Sequence, residues 1–212
     1  LLEGAPPVDL LLFTGDAAFG QIPKQPLAEQ LEAAWYFFEE VRELCRLPPE
    51  RVFVVPGNHD VDRSMVREAS QTWLRQLAAE GNWQRIHQLV ERDEDDWEPF
   101  AARLECYRAW IAQAYPHLNN RMDRHVWSQL VEVDGLKVGL AGLDSAWSCG
   151  EDGEKGRLWA GAIAQLGMAL PQLEEADLRL ALIHHPPNWL VEQEDRQSVR
   201  SRLQSEFHVL LH

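Results

Sequence analysis

The sequence predicts an α/β fold, and three observations carry that prediction. Apolar, β-branched runs at Val8 to Phe13, Val52 to Val55 and Leu178 to Ile183 read as buried strands. A helix-length segment with a 3.6-residue apolar period separates the first two runs. Asp134-Gly135, flanked by two further apolar runs, is a two-residue hairpin signal. Each of the three buried runs gives out into polar groups: Thr14-Gly15-Asp16, Pro56-Gly57-Asn58-His59-Asp60 and His184-His185-Pro186-Pro187. Ligands of open α/β sheets bind outside the carboxyl ends of the strands, so these exits form the candidate site.

Taken in order, Glu3 to Pro7 leads into the first strand, and Ala17 to Gln25 is a loop punctuated by glycine and proline. From Pro26 onward, Leu27, Leu31, Ala34, Phe38, Val41 and Cys45 line one face of a helix that Leu47-Pro48-Pro49 stops. Strand, loop, helix and strand then make a right-handed βαβ crossover. From Val61 to about His125 the pattern is helical. Val66 to Glu80 and Trp83 to Glu91 are helices broken at Gly81-Asn82. The acidic run Glu91 to Asp96 reads as a solvated connection or helix end. Phe100, Leu104, Tyr107, Ile111 and Tyr115 form another helical face, ended by Pro116. This is too long for a plain crossover and reads as a helical insertion, at about 61–125, over or beside the site.

Val126 to Val133 and Leu136 to Leu143 are the hairpin strands, the second ending in Asp144-Ser145-Ala146-Trp147. A polar loop runs from Gly150 to Gly156. Ala160 to Leu173 is helical with a break near Pro171, a helix is expected from Asp195 to Phe207, and Val209 to Leu211 is a last short strand.

A length of 212 residues suffices for one domain with its own core. The reading is one domain over 1–212, cut at both ends from a longer polypeptide that carries additional domains. The net charge of −14 argues against bulk attraction to nucleic acid or anionic lipid. A phosphate substrate stays open, because bound cations can dominate a local field. No apolar segment is long enough to span a membrane. Cys45, Cys106 and Cys149 are odd in number and widely spaced, which points to a reducing, cytoplasmic location. Asp16, Asn58 and His184 offer carboxylate, amide carbonyl and imidazole, a set suited to a divalent ion such as manganese, iron or zinc. The absence of thiolate from the set argues against a structural zinc site.

Gly15-Asp16, Gly57-Asn58-His59-Asp60 and His184-His185-Pro186, in this order and at strand ends, resemble the second, third and fourth motifs of the calcineurin-like metallophosphoesterases. The resemblance implies a four-layer α-β-β-α sandwich of two mixed sheets flanked by helices, with the helical insertion. It also implies two divalent ions and hydrolysis of a phosphomono- or phosphodiester by a metal-bridging hydroxide. On that resemblance Asp16 bridges the ions, Asn58 and His184 are ligands of one of them, and His59 binds the phosphate and protonates the leaving oxygen. Asp60 and His185 would support the site or face the substrate.

The family's first motif, Asp-x-His, is absent ahead of Gly15-Asp16, and its last, Gly-His-x-His, is absent from residues 1–212. Asp16 is followed by Ala17-Ala18-Phe19-Gly20, without the second Asp and the Arg of the protein Ser/Thr phosphatase branch. That favours the broader, cyclic-nucleotide-diesterase-like branch, with a phosphoester of unspecified identity as substrate. Two other classes compete: a non-catalytic relative kept as a regulatory or assembly module, and an acidic helical interaction module working through Val61 to His125. Trp147 and Trp189 follow strand ends and could stack on a base, although core packing is the commoner role of such residues. His87, His117, His125 and His208 match no motif and read as structural or surface residues.

Overall fold

The computed structural model describes residues 7–92, 94–119, 122–151, 153–191 and 200–212. It is a mixed α/β structure with two sheets, consistent with the expected sandwich. In the first sheet β1 (Leu11–Phe13) pairs in parallel with β2 (Val52–Val54), Leu11 opposite Val52 and Phe13 opposite Val54. β1 is shorter than its apolar run. A 3₁₀ turn at Pro49–Arg51 directly precedes Val52, so β2 offers no partner to Val8, Asp9 or Leu10. The crossover is α1 (Leu27–Cys45), which buries Leu31 and Phe38 and brings the Phe38 ring centroid within 4.6 Å of Phe13. It ends on Arg46 at φ 58, a left-handed cap that lets the Leu47 N–H close on the Arg42 carbonyl at 3.0 Å.

The second sheet has the order β3 (Trp127–Val133), β4 (Leu136–Gly142), β5 (Leu178–Leu182), β6 (Val209–Leu211). β3 and β4 are antiparallel around Asp134 (φ 48) and Gly135 (φ 80), the double positive φ of a tight hairpin turn. β4, β5 and β6 are mutually parallel. The sheets are tied together by Trp127, whose indole N–H donates to the Val54 carbonyl at 2.7 Å. Gly142 gives the indole its space: a Cβ there would lie 2.1 Å from the ring.

Between the sheets in sequence come α2 (Glu68–Glu80), α3 (Trp83–Arg92), α4 (Glu94–Ala101) and α5 (Glu105–Ala114). The acidic run falls on helix ends, the last turn of α3 and the first of α4, with Asp93 outside the described residues. An ion pair from Arg85 on α3 to Asp96 on α4 sets its two sides against each other and offsets part of the like-charge repulsion. The helical segment docks on the loop after β4. Gln71 Nε2 donates to the Ser148 carbonyl (3.2 Å) and Arg103 Nη1 to the Cys149 carbonyl (3.1 Å). Trp147 packs its ring at 5.3 Å from Trp97 and 5.2 Å from Phe100 and is fully buried, so it is core and offers no stacking surface. After β4, α6 (Ala162–Ala169) gives way to a 3₁₀ turn at Leu170–Leu173 carrying Pro171, and α7 (Arg200–Glu206) precedes β6. The start of the last expected helix, 195–199, lies outside the described residues. Among the described residues no helix is long and apolar enough to cross a membrane.

Trp127→Phe removes the one indole N–H that reaches Val54 and leaves a buried carbonyl short of a partner. It should lower the unfolding free energy by about 1–3 kcal/mol, read from urea denaturation.

Candidate metal centre

The exits of β1, β2 and β5 meet at one edge of the two sheets. Backbone comes first, because it aims the side chains. Gly15 has φ 103 and Asp16 has φ 59. The first is glycine territory, and the second is tolerated by aspartate. A Cβ on Gly15 would lie 2.6 Å from His184 Nδ1, and one on Gly57 would lie 2.2 Å from Asp16 Oδ1. Both motif glycines are therefore the gaps through which the site's side chains pass.

Asp60 holds these exits together. Its buried carboxylate accepts N–H groups from Asp16 (3.1 Å), Ala18 (2.8 Å) and Gly57 (2.8 Å). Burial pushes its pKa up to about 6, against the pull of the Gly57 and Ala18 hydrogen bonds. It is a loop weld, not a member of the cluster that faces solvent. Gln30 on α1 shapes the neighbouring loop by taking the Phe19 N–H and donating to the Gly20 and Gln25 carbonyls.

Three side chains converge above that weld. His184 Nδ1 lies 2.7 Å from the Thr14 carbonyl, which can only accept, so Nδ1 carries the hydrogen. In the neutral ring Nε2 then presents a bare lone pair. That lone pair lies 3.1 Å from Asn58 Oδ1 and 3.4 Å from Asp16 Oδ2. With the ring neutral, that sets three acceptors around one point, an arrangement that a cation among them would stabilise. The spacing fits a metal ion: two donors each about 2.1 Å from one ion, at angles of about 90–109°, stand roughly 3.0–3.4 Å apart. The Asp16 and His184 side chains keep 34% and 19% exposure, so an ion has a path in from solvent. Among the described residues no group of three or more His, Cys, Asp or Glu could hold a metal ion. Here the third donor is an amide oxygen.

His59 sits beside this cluster. Its main-chain N–H donates to Asp16 Oδ1 at 3.0 Å, and its Nδ1 donates to the Phe19 carbonyl at 2.8 Å, which leaves Nε2 for other work. His185 is turned away and 97% covered. Ser145 Oγ lies 2.9 Å from its Nδ1 and accepts its main-chain N–H at 3.0 Å. Burial, then the neighbouring His184, push the pKa of its ring down to about 3, so it is neutral. Trp189 is half-buried with its ring 5.4 Å from His185. Asp144 and Ser145, to which the sequence alone assigns no role, leave β4 at the same sheet edge as the other motifs leave their strands. The polar pair after an apolar strand was the available signal.

Asp60→Asn places an amide NH₂ against main-chain donors it cannot accept from. It should destabilise the fold by about 2–3 kcal/mol in urea denaturation without added metal.

The model of the calcineurin-like phosphoesterase family matches residues 1–210. No curated protein and no solved structure matches the chain. With glycine, aspartate, asparagine and histidine of its motifs meeting at one sheet edge, the chain belongs to the calcineurin-like phosphoesterase family.

Proposed function

We propose that this protein hydrolyses a phosphoester and that Asp16, Asn58 and His184 are ligands of a divalent metal ion in its active centre. The observation that carries the reading is the convergence of His184 Nε2 with Asn58 Oδ1 at 3.1 Å and Asp16 Oδ2 at 3.4 Å. The cofactor proposed is a pair of divalent ions such as manganese, iron or zinc, which when bound supply Lewis-acid charge and an activated water. Asp16 suits a position shared between two ions because a carboxylate has two oxygens, and Oδ1 is kept in place by the His59 N–H.

His59 is the proposed general acid. Its ring is fixed through Nδ1 to the Phe19 carbonyl, and Nε2 can hand a proton to the departing oxygen. The loop that carries Phe19 is held by Gln30, so the ring's orientation is set before substrate arrives. Phe19 and Gly20, where the protein phosphatase branch has its second Asp and its Arg, support a diesterase of the broader branch. Residues 1–212 contain neither an Asp-x-His ahead of Gly15 nor a Gly-His-x-His, so the reading requires further ligands from additional domains or polypeptide beyond them. Three free cysteines support a reducing, cytoplasmic setting.

A second reading, a non-catalytic regulatory or assembly module, draws on a specific observation. Among the described residues no three His, Cys, Asp or Glu gather as a metal site. Manganese titration separates the two. Asn58→Ala and His184→Ala should each weaken manganese binding by at least about tenfold, since each removes a direct ligand. Binding that ignores both substitutions favours the module.

Catalysis gives the sharper test, on the intact protein. His59→Ala should slow alkyl phosphodiesters by about 10²–10⁴-fold, the usual worth of a general acid. A nitrophenyl diester, whose leaving group needs little protonation, should suffer much less. Equal losses on both esters would remove His59 from that role.

A further inference from the structure

His125, Asp144 and Ser145 are fully buried polar residues that the proposed hydrolysis leaves without a part. Their placement follows from the sheet. β4 and β5 run parallel with Gly142 opposite Leu182, and the Leu143 N–H continues the ladder to the Leu182 carbonyl at 2.9 Å. The same register carried past the strand ends sets Ser145 opposite His185. There Ser145 Oγ accepts the His185 main-chain N–H (3.0 Å) and meets His185 Nδ1 (2.9 Å). The peptide between His184 and His185 is thus gripped from the β4 side. The His184 ring is gripped from the other sheet by the Thr14 carbonyl at 2.7 Å.

Asp144, behind Ser145, is fixed at every polar atom. Oδ1 accepts the N–H groups of Ala146 (2.6 Å) and Trp147 (3.1 Å), and Oδ2 pairs with His125 Nδ1 (2.9 Å). Its N–H donates to Gln165 Oε1 (2.8 Å), and its carbonyl accepts from Gln165 Nε2 (2.6 Å). His125 holds φ 54, an uncommon conformation for a residue with a side chain. Packing alone does not call for such a set. A buried His–Asp pair carries a desolvation cost that apolar residues of similar volume avoid. What a saturated polar network adds is a single orientation for the groups it holds.

We propose that Asp144-Ser145 is a positioning element of the metal centre. Ser145 Oγ fixes the His184–His185 peptide and the His185 ring, and the buried His125–Asp144 pair fixes Ser145. His184 Nε2 thereby stays aimed at Asn58 and Asp16. The inference rests on the reading of Asp16, Asn58 and His184 as ligands, and partners that orient ligating residues typically carry about 10–100-fold in metal affinity.

The test is a manganese titration of Ser145→Ala and Ser145→Cys beside Asn58→Ala and His184→Ala, with free ion read by electron paramagnetic resonance. Histidine ring ¹⁵N spectra are recorded on the metal-free proteins. Ser145→Ala should weaken manganese by about tenfold or more. Ser145→Cys, with a weaker hydrogen-bonding atom of similar volume, should fall between it and the unaltered chain. The His185 ring should pass from one tautomer to two in Ser145→Ala. Should Ser145→Ala lose its cooperative melting transition, Ser145→Cys carries the test on the same criteria. Manganese affinity within about twofold of the unaltered chain in the Ser145 variants, while Asn58→Ala and His184→Ala weaken it, overturns the positioning role alone. No effect of Asn58→Ala and His184→Ala overturns the ligand reading, and the positioning role with it.

Discussion

The arrangement depends on one buried carboxylate. Asp60 collects main-chain N–H groups from both sides of the first sheet's edge: Asp16 and Ala18 after β1, and Gly57 after β2. Neither exit can hold its conformation locally. Asp16 needs a positive φ, and Gly57 must leave room for the Asp16 carboxylate. A buried carboxylate without donors would be expelled or protonated, and buried N–H groups without an acceptor would be equally costly. Each side of the weld therefore removes the other's penalty. The acidic group that ends the third motif is spent on the backbone, which frees Asp16 and Asn58 to face the open side.

The second constraint joins the sheets. His184 leaves β5 in one sheet and hydrogen-bonds the Thr14 carbonyl past β1 in the other. Trp127 makes the deeper connection from β3 to Val54 on β2. The metal-type cluster lies at this seam, so its donor spacing is set by how the sheets dock rather than by any loop alone. The packed interior resists deformation, so that spacing follows the docking of the sheets.

The helical segment contributes from behind. α2 and the turn into α5 reach the loop after β4 through Gln71 and Arg103. The Trp97, Phe100 and Trp147 rings fill the space between them. The segment therefore buttresses the loop that carries Ser145 instead of offering donors of its own to the cluster.

The sequence by itself determined the elements and the cluster's membership. Strand exits at Asp16, Asn58 and His184 are legible because an apolar run ending in glycine and a polar residue has a local cause: strand burial stops where a turn must begin. Family membership was legible from the same residues. The pairing of α3 with α4 at the acidic run was not, because the ion pair that supports it joins Arg85 to Asp96 across two helices. Nor was the length of β1, which the partner strand's 3₁₀ turn cuts short. The different work of two adjacent histidines was decided only in three dimensions. His184 and His185 are the same side chain on successive residues of a strand exit, their rings edge to face with centroids 4.6 Å apart, yet they meet different partners. Which ring meets Asp16 and Asn58, and which meets Ser145, depends on the register of β4 against β5 and on the docking of two sheets. Those are contacts between residues more than a hundred positions apart in one case and forty in the other, and no local pattern encodes them.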